Sequence, residues 1–94
     1  MPRYKVAHVR EQGIDLIIVP LERSFETRSQ LEQQQTINTL EMRAHAAGLA
    51  GTVVPVWEYA GGRMRFIAPQ NWHAFFKSLS LQAVFGAINK ELYW

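Results

Sequence analysis

Chemistry in this chain has to come from a short set of side chains: the histidines His8, His45 and His73, the serines Ser24, Ser29, Ser78 and Ser80, and a scatter of carboxylates and cations. There is no cysteine, which removes a thiolate nucleophile, a disulfide framework and a cysteine zinc site together. The serines fall at helix caps or on expected helices, and no Gly-x-Ser-x-Gly elbow presents one as a nucleophile. Acid–base chemistry has one opening: His8 in a first strand with Asp15 across a hairpin, an imidazole oriented by a carboxylate. A polar cross-strand pair accounts for the same two residues without catalysis. No second catalytic group stands near them, so no enzyme activity is expected.

Metal and cofactor chemistry fare no better. Glu41 and His45 stand at i and i+4 on an expected helix, where both reach one ion, but that spacing is more often a surface pair. Gly48-Leu49-Ala50-Gly51 has the G-x-x-G spacing of a nucleotide clamp. It joins a helix to a strand around Leu-Ala, where such a clamp joins two helices, so it reads as a helix cap. Neither a Gly-x-Gly-x-x-Gly loop nor a P-loop occurs, and no cofactor is expected.

Binding is the better supported chemistry. Arg63 and Arg65 share one face of an expected strand, Trp57 and Phe66 are assigned to the other face, and His73 and Lys77 follow at i and i+4 on the next helix. Up to Ala47, Arg3, Lys5, Arg10, Arg23, Arg28 and Arg43 balance Glu11, Asp15, Glu22, Glu26, Glu32 and Glu41. No carboxylate lies between Glu58 and Glu91, so the net charge of +2 belongs to the C-terminal half. Arg63, Arg65, His73 and Lys77 are therefore candidates for a partner or an anion. Arginines beside aromatics also suit phosphate contact and base stacking in a nucleic acid. Two net charges make a small field for such a polymer, however, and alternation turns Trp57 and Phe66 toward the core.

Self-association needs fewer assumptions. The chain ends in Leu92-Tyr93-Trp94, and Tyr93 and Trp94 are large aromatics at a terminus that frays unless docked. The leading expectation is a non-catalytic interaction module, a homodimer or an accessory subunit. Nucleic-acid binding through Arg63, Arg65 and Lys77 is the alternative.

The elements that must position these groups follow from periodicity. Tyr4–Val9 and Ile14–Val19 read as strands around a four-residue turn, which sets Val9 opposite Ile14 and His8 opposite Asp15. The second strand is apolar on both faces and so belongs inside the sheet. Ser24 reads as the N-cap of a helix from Phe25 to Ala47, lightly packed in its first half, with Ile37, Leu40, Ala44 and Ala47 on one face. Gly48 and Leu49 fit a Schellman ending. Thr52–Tyr59 and Arg63–Ile67 form a second hairpin around Gly61-Gly62, which pairs Trp57 with Phe66, Tyr59 with Met64, Glu58 with Arg65 and Val56 with Ile67. Trp72, Phe75, Phe76 and Leu79 make one helical stripe. Leu81, Val84, Phe85, Ile88 and Leu92 make another, out of phase, with a break at Ser80.

The expected fold is α+β in the order β-β-α-β-β-α-α. One four-stranded, mostly antiparallel sheet is packed by one long and two short helices, and Pro55 at an edge favours strand order 1-2-4-3. So little helix leaves a sheet face to be covered by a second copy. The 94 residues suffice for one domain, 1–94, and 48 % hydrophobic against 19 % charged residues excludes disorder. No run approaches the roughly 20 apolar residues of a membrane span, and no signal peptide opens the chain, so a cytoplasmic location is expected.

Overall fold

In a computed structural model, which describes residues 3–93, five strands form one mixed sheet in the order β4-β3-β2-β1-β5. The elements are β1 (Arg3–Glu11), β2 (Ile14–Leu21), a 3-10 turn (Arg23–Thr27), α1 (Gln30–Ala46), β3 (Thr52–Tyr59) and β4 (Arg63–Phe66), followed by a second 3-10 turn (Gln70–Trp72), α2 (His73–Ser78), α3 (Leu81–Gly86) and β5 (Lys90–Tyr93). The α+β class is as expected, but the sheet has a fifth strand and a different order. β2 and β3 are parallel neighbours, and the other pairs are antiparallel.

Pro55 does not force β3 to an edge. Its carbonyl accepts from the Ile67 amide at 3.2 Å, so its nitrogen faces the β4 side as well, at the point where the four-residue β4 stops. The missing N–H therefore breaks no bond to β2, and β3 sits between β2 and β4.

Both faces of the sheet are covered, which overturns the expectation of a bare face. Val6, Ile17, Val19, Val53 and Leu92 pack against Ile37, Leu40 and Ala44 of α1. On the opposite face Ala7, Leu16, Ile18, Val54 and Val56 meet Trp72, Phe76 and Val84. Leu16 to Val19 are all buried, as their unbroken apolar run requires. Among the described residues no helix is long and apolar enough to cross a membrane.

Both hairpin registers differ from expectation, for reasons of loop length. In the first, Gln12 (φ 51°) and Gly13 (φ 78°) form a two-residue turn of the kind that matches strand twist. Glu11 thus faces Ile14, Arg10 faces Asp15 and His8 faces Ile17. In the second, the loop is Ala60-Gly61-Gly62, so Tyr59 faces Arg63, Trp57 faces Arg65 and Val56 faces Phe66. That slip of one residue puts Trp57 and Phe66 on opposite faces.

The long helix begins later than Ser24. Ser29 and Glu32 make a capping box, with the Glu32 amide donating to Ser29 Oγ at 3.1 Å and the Ser29 amide to Glu32 Oε1 at 3.4 Å. The residues before it wind into the 3-10 turn and place Phe25 edge-on against Trp57, with ring centroids 4.8 Å apart. At the far end of α1 the Leu49 amide donates to Ala44 O and the Gly48 amide to His45 O, the expected Schellman pattern. The break at Ser80 is also present, with Ser80 Oγ accepting from the Ala83 amide.

The second short helix stops early. Ala87 closes α3, and β5 pairs with β1, burying Leu92 under α1. Asn89 starts this return: Oδ1 accepts from the His8 amide and Nδ2 donates to the His8 carbonyl, both at 2.9 Å. An amide side chain continues the ladder there as a strand residue would.

Candidate anion-binding cleft

The sheet separates the candidates that the sequence grouped. Arg63 and Arg65 share the face of Tyr59 and Trp57, whereas His73 and Lys77 ride on α2 against the other face, where His73 stacks edge-on with Phe66 at 5.4 Å. Arg65 is already engaged. It lies over the Tyr59 ring at 4.7 Å and 3.6 Å from Glu26 Oε1, the oxygen that also accepts from Trp57 Nε1 at 2.8 Å. His73 Nε2 donates to the Ala68 carbonyl. Arg63 and Lys77 are exposed and make no ion pair among the described residues, but they point from opposite sides of the sheet. Tyr93 is 65 % exposed beside Arg3, while Trp94 lies outside the described residues.

The catalytic and metal candidates are absorbed by the backbone at the end of the sheet where β3 starts. His8 Nε2 donates to Ala50 O and His45 Nε2 to Gly51 O, at 2.9 and 3.0 Å. Glu41 accepts from the Val53 amide, and Asp15 pairs with Arg10 at 3.7 Å, so no His8–Asp15 pair forms. Gly51, at φ 129°, packs where a Cβ would sit 2.5 Å from the Asp15 carbonyl oxygen. No group of three metal-ligating side chains occurs among the described residues.

The opposite end of the sheet holds a cleft of about 800 Å³. It exists because of how the chain leaves β2. After Leu21 the 3-10 turn carries the backbone off the sheet, and α1 buries nothing before Ile37, so its first half stands clear of β1. On the other face α3 is only six residues long and packs over β2 and β3, leaving the β1 corner open.

The cleft therefore has two walls. Arg3 and Lys5, alternate residues on β1, line it together with Pro20, Phe85 and Ile88. Tyr4, Phe25, Arg28 and Thr36 line it from the α1 side, and Tyr4, Arg28 and Thr36 continue into an adjoining hollow of about 240 Å³.

Three cations line this cleft against a single carboxylate, Glu22. Arg3 sits 3.6 Å from Glu91 in an exposed pair, the kind worth at most about 1 kcal/mol. Lys5 and Arg28 make no ion pair and no side-chain hydrogen bond among the described residues, and the Ser24 hydroxyl at the rim makes none either. Sequence reading missed this group because the N-terminal half is neutral in composition. In space three of its six acids are engaged elsewhere: Asp15 with Arg10, Glu26 with Arg65 and Trp57, Glu32 with the Ser29 cap. The available signal was Arg3-Tyr4-Lys5 on a strand, which sets two cations on one face.

No family model matches the chain, and neither the curated proteins nor the solved structures contain a match to it.

Proposed function

We propose that this chain is a small non-catalytic binding module whose working surface is the cleft at the end of β2, and that its partner is anionic. The observation that carries the reading is the placement of Lys5 and Arg28, cations with no ion pair among the described residues, on the walls of the 800 Å³ cleft. An anion entering between them gains two charge-assisted contacts, in competition with Glu22 in the lining, Glu91 across the ladder from Lys5 and Glu32 beside Arg28 in the adjoining hollow. The volume falls within the roughly 300–1,000 Å³ range of small-ligand pockets. The engagement of His8, His45 and His73 with backbone carbonyls supports the non-catalytic part.

Titration calorimetry with inorganic pyrophosphate at about 50 mM salt tests the reading. Saturable binding that weakens as salt is raised, and falls at least tenfold in Lys5→Gln/Arg28→Gln, is the expected result. No heat from the wild-type chain, or equal binding by the double variant, overturns it.

Self-association remains a second reading, on narrower ground than the sequence offered. With β2 covered on both faces, it is supported by the exposed rings of Tyr93 and Phe85, 65 % and 56 % accessible. Light scattering coupled to size exclusion at high micromolar concentration decides it, a strict monomer removing it. Nucleic-acid binding through Arg63, Arg65 and Lys77 draws no support from their placement on two sides of the sheet.

A further inference from the structure

The chemistry of the cleft is more specific than positive charge. Phe85 forms part of the same lining as Lys5 yet is 56 % exposed, a large ring left uncovered while its helix neighbour Val84 is 1 % exposed. Tyr4 adds a second aromatic surface and a hydroxyl, and Ser24 and Thr36 add small polar groups at the α1 side. Thr36 Oγ1 is engaged with the Glu32 carbonyl, whereas the Ser24 hydroxyl has no partner among the described residues. Cations on both walls, an exposed ring on one and a volume near 800 Å³ together describe a ligand with a phosphate at one end and a flat ring at the other.

We infer that the cleft takes a free mononucleotide: Lys5 and Arg28 hold the phosphates from the two walls, and the base lies on Phe85. This rests on the anion reading above and narrows it to one ligand class. Stacking of a ring on an aromatic side chain is tolerant of base identity, so any nucleobase serves. The open rim suits a ligand that enters whole rather than one threaded through.

Calorimetric titrations with ADP, pyrophosphate, adenosine and a 5′-phosphorylated trinucleotide, at about 50 mM salt, test it on the intact chain. ADP binding about tenfold or more tighter than pyrophosphate is the expected result. Phe85→Ala and Phe85→Leu should abolish that excess while leaving the pyrophosphate affinity in place, with far-UV circular dichroism confirming the fold. Lys5→Gln should weaken ADP and pyrophosphate alike. Equal affinity for ADP and pyrophosphate, or no loss of the excess in either Phe85 variant, overturns the ring contact and leaves the anion reading standing. Tighter binding of the trinucleotide than of ADP overturns the assignment to a free nucleotide. Silence from both ADP and pyrophosphate overturns this inference and the anion reading together.

Discussion

The two ends of the sheet carry similar side chains and use them differently. Where β3 begins, His8 and His45 bond the Ala50 and Gly51 carbonyls, Glu41 takes the Val53 amide and Asp15 pairs with Arg10, so each is committed to a carbonyl, an amide or a countercharge. At the other end, where β2 leaves the sheet, Lys5 and Arg28 have no such commitment and face a cleft. The first end is richer in residue types associated with catalysis, yet its polar groups hold a loop in place. The second is poorer in them and has binding capacity left over. What distinguishes a candidate site here is unspent hydrogen-bonding and charge capacity beside a hollow, not residue type.

The sharpest way to break this contrast is at Gly51. A methyl group there meets the Asp15 carbonyl oxygen at 2.5 Å on a backbone at φ 129°, so Gly51→Ala should cost about 2–4 kcal/mol in urea unfolding. A neutral result would mean that the loop is not held as tightly as its bonds imply. Next come the side chains that tie this end together. His8→Ala, His45→Ala and Asn89→Ala each remove bonds to backbone groups and should each cost about 1 kcal/mol. Faster hydrogen exchange at the His8 amide should accompany the Asn89 change, since that side chain accepts from it.

The smallest effects on stability are expected at the cleft. Lys5→Gln and Arg28→Gln should leave unfolding free energy within about 0.5 kcal/mol of the parent, because neither side chain has an internal partner among the described residues. Their cost should appear in ligand affinity instead. A stability loss above about 1 kcal/mol at either position would make that cation structural and erase the difference between the two ends.

Much of the framework was legible in order and spacing. Leu16 to Val19 could only be an interior strand, the phase change at Ser80 could only be a break, and Gly48-Leu49 closed α1 as expected. The misreadings share one cause, which is that a local pattern was compatible with two neighbours. Leu92 suited a helical stripe and a buried strand position equally, and only the open edge of β1, with Asn89 bonded to His8, selected the strand. Ser24 and Ser29 both suit an N-cap. Glu32 at the right distance from Ser29, and Phe25 seated on Trp57, decided between them.

The sequence by itself determined that this is an α+β chain without thiol chemistry, with a doubly buried strand, a long helix weakly packed at its start and a net charge of +2. Those are consequences of composition and periodicity, which act within a few residues. Tertiary structure decided where that charge matters. One residue of hairpin register brought Trp57 onto the face of Arg65, where both reach Glu26, while α2 packed on the Phe66 face and left Arg63 and Arg65 across the sheet from His73 and Lys77. Pairing also took up acids that balance Lys5 and Arg28 on paper. Electrostatic neutrality along a chain is a sum over sequence, whereas an anion responds to charges within about a Debye length of roughly 10 Å in space. Only the fold sets which charges those are.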